Sequence, residues 1–278
     1  MAITNFNPTI WSASLLGNLR DQLVYGTLCN RDYEGDIANA GDTVRIRSLS
    51  RPTIGTYSKG STTITPEQLT DAQRALYIDQ SKYFAFEVDD IDAAQTNTND
   101  LSTALQEAAY GLRDVADQYV AGLYTQAQSA NQLGTISVTT AAGAYTVLRK
   151  LRTALNKANV PMENRYVVVP PFFEGLLLED DRFVRVDASG SDQGLRNGII
   201  GRALGFDVMM SNNAPLVTGD DWAVQAGHPS AIAYAESIVK VESYRPQDAF
   251  SDAIKGLHVY GAKVIRPDAI ATCVASET

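Results

Sequence analysis

Apolar and polar residues alternate along two stretches in the first third of the chain. Thr43 to Leu49 sets Val44 and Ile46 against Arg45 and Arg47, while Ala75 to Val88 sets Leu76, Ile78, Phe84, Phe86 and Val88 against Tyr77, Asp79 and Tyr83. A period of two predicts half-buried β-strands. Between them, Ser50 to Arg74 is rich in Thr, Ser, Gly and Pro and holds too few apolar residues for a core of its own. Residues 42–88 therefore read as a long projecting hairpin. A lone two-stranded ribbon is marginal in water, so this arm is expected to lie on another copy of the chain. Its candidate intersubunit contacts are Arg45, Arg47, Arg51, Tyr57 and Lys59. Arg45 and Arg47, which share a strand face, are expected to meet carboxylates of a neighbour or of the acidic turn Asp89 to Asp92.

The period then changes to that of a helix. Leu101, Leu105, Ala108, Leu112, Val115, Tyr119 and Leu123 recur at steps of three and four behind a capping Asn99 or Asp100. Continued to about Ser129, such a helix would span about 45 Å. Upstream, Met1 to Ala40 reads as a tether with a short helix over Ser12 to Gln22. Downstream, Ala144 to Ala158 is helical with Val147, Leu148, Leu151 and Leu155 inward. Arg165 to Val169 is a buried strand, and Pro171 opens a helix over Phe172 to Leu178. Short strands follow at Phe206 to Met210, Trp222 to Gln225 and Ala231 to Tyr234. Leu133 to Ala235 thus reads as one α/β domain inserted into the rest. Two longer strands, Ile238 to Tyr244 and Gly256 to Arg266, close the pattern beside the long helix, and Gly261 marks a bulge or a close backbone approach.

With 278 residues, 45% of them hydrophobic, the chain can bury one large core or two modest ones. It has no apolar run of the ~18 residues a membrane span needs, and no Lys or Arg within Met1 to Gly17 to suggest a secretory signal. Cys29 and Cys273 lack metal-ligand spacing and suit a reducing cytoplasm. The net charge is −9 and the basic residues read as scattered, which disfavours tight phosphate binding. A container for nucleic acid remains compatible, since an acidic wall keeps packed polyanion from adhering.

Candidate chemistry is sparse. His228 lies near Asp220 and Asp221 in sequence, but no Gly-x-Ser-x-Gly elbow supplies a nucleophile, and a turn residue at a domain edge is the expectation. His258 alternates with Tyr260 in a strand and reads as solvated or at an interface. Asp89, Asp90 and Asp92 fail the calcium-loop pattern, because Ala94, Gln95 and Leu101 replace an oxygen ligand, the glycine and the bidentate glutamate. Asp180 and Asp181 read as an exposed helix end. Gly198 to Gly201 lacks the residues of a phosphate cradle. No catalytic, cofactor or metal residue is assigned.

Four blocks carry a resemblance. Arg165-Tyr-Val-Val-Val-Pro-Pro-Phe172, Asp181-Arg-Phe-Val-Arg-Val-Asp187, Gly198 to Val208 with Ser211-Asn-Asn213, and Gly256 to Val264 with Arg266-Pro267 resemble major capsid proteins of tailed bacteriophages. The resemblance implies the Hong Kong 97-type α+β capsid fold. It makes residues 1–41 an N-terminal arm and 42–88 an extended loop. It makes 89–132 with 236–278 a peripheral domain around a spine helix, and 133–235 an axial domain. It implies a non-enzymatic subunit, without cofactor, that assembles with itself into pentamers and hexamers of an icosahedral shell. The shell encloses double-stranded DNA without sequence-specific binding, in the virion, after assembly in the host bacterial cytoplasm. A separate scaffolding protein, a portal and a decoration protein are its implied partners, and no membrane is. Some relatives cross-link through an extended-loop lysine; no motif aligns Lys59 with it, and Lys59 reads as an exposed loop residue. Two other classes stand beside this one: an encapsulating nanocompartment shell, told apart by an enzyme cargo, and a hydrolase built on His228, which needs a cleft of convergent polar groups.

Overall fold

The computed structural model describes residues 24–32, 43–49, 54–59, 71–89, 99–180, 201–247 and 251–278. In chain order these form α1 (Val24–Thr27), β1 (Thr43–Leu49), β2 (Asp71–Tyr77), β3 (Gln80–Asp89), α2 (Asn99–Ala121), β4 (Gln132–Ser137), α3 (Ala141–Lys157) and β5 (Arg165–Val169). They continue with α4 (Pro171–Leu178), β6 (Arg202–Ala203), β7 (Phe206–Met210), β8 (Leu216–Thr218), β9 (Asp221–Gly227), β10 (Ile232–Tyr244), β11 (Ser251–Val264) and β12 (Ile270–Ser276). The helix expected over Ser12 to Gln22 lies outside the described residues.

Strands β1 and β2 form a two-stranded antiparallel sheet, in register from Thr43↔Tyr77 to Leu49↔Asp71. The strand expected over Ala75 to Val88 is in fact two. The ladder breaks at Ile78 and Asp79, and β3 joins a second sheet of order β10-β11-β3. Alternation runs through the break because it reports which face is inward, not which strand is the partner. Leu76 and Ile78 enter a cluster with Ala233, Ala235 and Val259, whereas Phe84 and Phe86 pack against α2. Where the chain changes sheets it presses on β11. A Cβ at Gly261 would lie 2.2 Å from the Tyr77 carbonyl oxygen, so Gly261 is a close-approach glycine, and the irregularity of this strand pair falls on β10, between Glu236 and Ile238.

Helix α2 has 23 residues, about 35 Å at 1.5 Å each, and gives way at Gly122 to a 3-10 turn. It is thus shorter than its apolar spacing suggests. Its buried stripe is Leu105, Ala109, Leu112, Ala116 and Val120. Val115, expected inward, is 40% exposed. The stripe is rotated because small alanines at 109 and 116 let the helix approach Tyr25 on one side and the β3–β11 surface on the other.

The largest sheet has order β4-β12-β9-β5-β7-β6, with β8 added to β9. Strands β4, β12, β5 and β7 run one way and β9 opposes them. The crossovers β4-α3-β5 and β5-α4-β7 step in the same direction, so right-handedness places α3 and α4 on one face, where they pack together. Thr140 caps α3 by accepting from the Gly143 N–H at 3.2 Å, and Val147, Leu148, Leu151 and Leu155 are fully buried beneath it. All five residues of β5 are buried. Two sequence expectations change here. The strands expected at 231–234 and 238–244 merge into one 13-residue strand, Ile232–Tyr244, so the expected boundary at Ala235 falls inside β10. The segment 236–278, expected to join the long helix, divides, because β12 is hydrogen-bonded between β4 and β9.

Candidate assembly surfaces and the arm anchor

The chain leading to the ribbon is fastened by two buried carboxylates. At the start of α1, Asp117 of α2 accepts from the Tyr25 N–H at 2.9 Å and the Gly26 N–H at 3.4 Å, and its other oxygen accepts from Asn213 Nδ2 at 3.3 Å. One side chain therefore joins the N-terminal segment, the long helix and the turn after β7. Desolvation holds the Asp117 carboxyl above its ordinary value, although the hydrogen bonds from Asn213, Tyr25 and Gly26 act the other way. Just beyond α1, Asn30 pairs with β10, its N–H donating to Ile232 O and its carbonyl accepting from the Tyr234 N–H. Arg31 then lies 3.5 Å from Glu236 and its guanidinium carbon is 5.0 Å from the Tyr234 ring centroid. Sequence reasoning missed both carboxylates, and a charged residue inside an apolar stripe, as Asp117 is, was the available signal.

His258 needs a correction. It is 0% exposed, not solvated, with Nε2 3.6 Å from Glu236 and its ring 5.0 Å from that of Tyr260. His258 shares the face of β11 that carries Ile254 and Tyr260, and that face packs against α2 at Leu105, Ala109, Leu112 and Tyr119, so the side expected to be outward is the covered one and Leu257 lies on the exposed side. Asp180 is buried too, against expectation. His228 is the expected turn residue: its Nδ1 accepts from the Ser230 N–H at 3.2 Å, and it stands at the opposite end of β9 from Asp220 and Asp221, about 20 Å along a strand. The two thiols are free and buried, each pushed up to about 12 by burial.

Of the candidate contacts, Arg45 and Arg47 lie in β1 opposite Ala75 and Gln73. Tyr57 is 65% exposed and Lys59 is exposed, in a segment where every residue from Ile54 to Lys59 faces solvent. Arg51, Asp90 and Asp92 lie outside the described residues. A further surface is the outer face of the β10-β11-β3 sheet, where exposed Tyr83 pairs with Leu257. Beside them Glu242 bridges Lys240 and Lys255 at 2.5 and 3.1 Å, and hydrogen bonds from those lysines hold its carboxyl below the ordinary value. Among the described residues no group of three or more His, Cys, Asp or Glu side chains is placed to hold a metal ion.

The subunit combines a ribbon that has no third strand among the described residues, a long helix laid on a three-stranded sheet, and an α/β layer built on the seven-stranded sheet. The family model for phage capsid proteins matches residues 73–273, and the chain belongs to that family. It is similar to a solved structure from Mycobacterium phage Che8, with 34% identity, 91% of each chain covered and a TM-score of 0.79. It resembles the capsid of cyanophage P-SCSP1u in fold, at 17% identity, 87% and 85% coverage and a TM-score of 0.70. It resembles a virus-like particle from Pyrococcus furiosus likewise, at 12% identity, 95% and 98% coverage and a TM-score of 0.59. No curated protein matches the sequence. The fold is α+β of the Hong Kong 97 type, and the role is structural, that of a capsid shell subunit of the virion.

Proposed function

We propose that the chain builds a closed icosahedral shell of pentamers and hexamers around double-stranded DNA, assembled in the cytoplasm of a bacterial host. The observation that carries this reading, beyond family membership, is the β1–β2 ribbon: among the described residues it pairs with no third strand, yet a ribbon of this kind is not stable by itself. A neighbouring subunit supplies the missing surface, with Arg45, Arg47, Arg51, Tyr57 and Lys59 as contacts. In this reading residues 1–41 are the arm and 42–88 the extended loop, whose end in β3 returns to the body. Residues 89–132 with β10 from 236 and β11 make the peripheral domain, and 133–235 with β12 the axial domain. The separation of the three-stranded from the seven-stranded sheet supports a division of this kind, with the whole of β10 on the peripheral side. A scaffolding protein and a portal serve assembly, and a decoration protein binds the finished shell. Particles from infected cells test the proposal by negative-stain microscopy, nuclease treatment and ultraviolet absorbance. Closed shells protecting duplex DNA are expected. Shells holding an enzyme and no DNA would move the chain to the nanocompartment class, and the lack of any shell would overturn the reading.

A further inference from the structure

Helix α3 carries Arg149, Lys150, Arg152 and Lys157 and no carboxylate, in a chain whose net charge is −9. These four cations fall within nine consecutive positions, and the fold decides that they stay on the solvent side of the helix. The opposite face of α3 is core, so these cations cannot turn inward. Arg149, Lys150 and Lys157 are exposed and Arg152 half-buried, and among the described residues none of the four forms an ion pair. The positive field continues past the end of the helix. Arg165, held by Val160 O at 2.6 Å, Pro161 O at 2.7 Å and Asn156 Oδ1 at 2.8 Å, is kept below its ordinary value by burial and then by Arg152. His228 is likewise lowered by burial and then by Arg165 and Arg266. Lys157 also suits the negative end of the helix dipole, but that accounts for one cation of the four.

The other end of the same sheet has the opposite sign. Asp220 and Glu277 are exposed and Asp221 half-buried, and the Glu277 N–H donates to the Asp220 carbonyl at 3.4 Å. None of these carboxylates has an ion-pair partner among the described residues. The seven residues of β9 put about 20 Å between this turn and the His228 end of the sheet, and none of the four cations of α3 forms an ion pair with these carboxylates within one subunit among the described residues.

We propose that the basic face of α3 docks the acidic turn at 219–221, with Glu277, of a second copy of the chain. The proposal rests on the self-assembling capsid family to which the chain belongs. Two different patches meeting in this way make a heterologous contact, the kind that closes rings, and charge complementarity sets its register. A second copy is favoured over nucleic acid as the occupant. Every neighbour brings the complementary turn in equal number, and the chain outside α3 is more acidic than its total charge, so it would repel a polyanion.

Charge exchange in the full chain tests the contact. Arg149→Glu/Arg152→Glu and, separately, Asp220→Lys/Asp221→Lys should each lower shell yield at low salt by about tenfold or more, with circular dichroism unchanged. Carrying all four changes in one chain should restore yield to within about threefold of the parent. Mixing the two double variants should restore even-membered rings, because like variants repel and must alternate, and should not restore pentamers. Failure of the fourfold exchange to restore yield, with both double variants folded, would overturn the proposal. So would parental yield from the acidic-turn variant, or normal shells from the helix variant that have lost only DNA, which would assign the face to the genome. Any of these leaves the shell reading standing, whereas a parent that forms no shells would sink that reading itself.

Discussion

Replacing Asp117 tests how firmly the N-terminal segment is fastened. In Asp117→Ala the Tyr25 and Gly26 N–H groups and Asn213 Nδ2 lose their acceptor, in a site where the carboxylate was 3% exposed. A buried donor left unpaired costs about 1–3 kcal/mol, and the 3.4 Å bond to Gly26 is weak, so a loss of about 3 kcal/mol is expected. For a domain of this size each kcal/mol lowers the melting temperature by about 2–4 °C, giving a fall of about 6–12 °C. Asp117→Asn keeps an acceptor for the Tyr25 N–H and should lose less than about 1 kcal/mol. The two variants also separate in their pH dependence. Burial raises the folded carboxyl above its ordinary value of 3.8, so the folded chain binds the proton more readily than the unfolded chain. Stability from this group is therefore greatest below 3.8, declines as pH rises through the interval up to the folded value, and is level above it. An asparagine amide in its place cannot ionise, and that decline should vanish. Urea unfolding of the unassembled subunit from about pH 3.5 to 7, a range set around the ordinary carboxylate value and above it, reads both effects. An Asn variant as unstable as the Ala variant would show that the charge itself holds the segment, and an Ala variant within about 0.5 kcal/mol of the parent would refute the anchor.

Three other outcomes follow from the same geometry. Gly261→Val drives a Cβ into the Tyr77 carbonyl, at a cost of about 1–3 kcal/mol, and should reduce shell yield by sedimentation while far-ultraviolet circular dichroism stays that of a folded subunit; full yield would deny the close approach. His258→Ala empties a fully buried position and should cost about 2–4 kcal/mol in thermal unfolding, whereas a change under about 0.5 kcal/mol would restore the solvated placement. Deleting residues 51–70 leaves both ribbon strands in place and should yield a folded subunit that no longer closes shells; normal particles by microscopy would remove the arm from assembly.

The segment from α3 to α4 was legible because its signals are local. A 3.6-residue stripe ends before Pro161, an unbroken apolar run follows, and Pro171 opens the next helix. Where long-range partners decide, sequence pattern misleads. Glu236 inside β10 reads as a boundary, since nothing nearby in sequence announces Arg31 or His258 as its company. The strand β12 has few bulky β-formers, and its neighbours β4 and β9 lie far away in the chain. In α2, hydropathy favours Val115 as the inward residue, while close packing selects Ala116. The ribbon strand carrying Arg45 and Arg47 was readable from alternation, while its pairing opposite Ala75 and Gln73 is set by a segment some thirty residues away. The four cations of α3 are legible in the sequence, but only the fold shows which faces are free.

The joint at Ile78 and Asp79 gives the ribbon the mechanics of a lever. Its seven-residue strands extend about 23 Å, so a swing of about 10° at the joint carries the far end of β2 through about 4 Å. The fulcrum is the backbone of Tyr77 bearing on Gly261, with Ile78 buried on one side and Arg74 Nη1 donating to the Val264 carbonyl at 3.1 Å. A methyl-sized error at that seat is therefore magnified along the ribbon, and the direction in which the chain reaches out is governed by a residue that has no side chain.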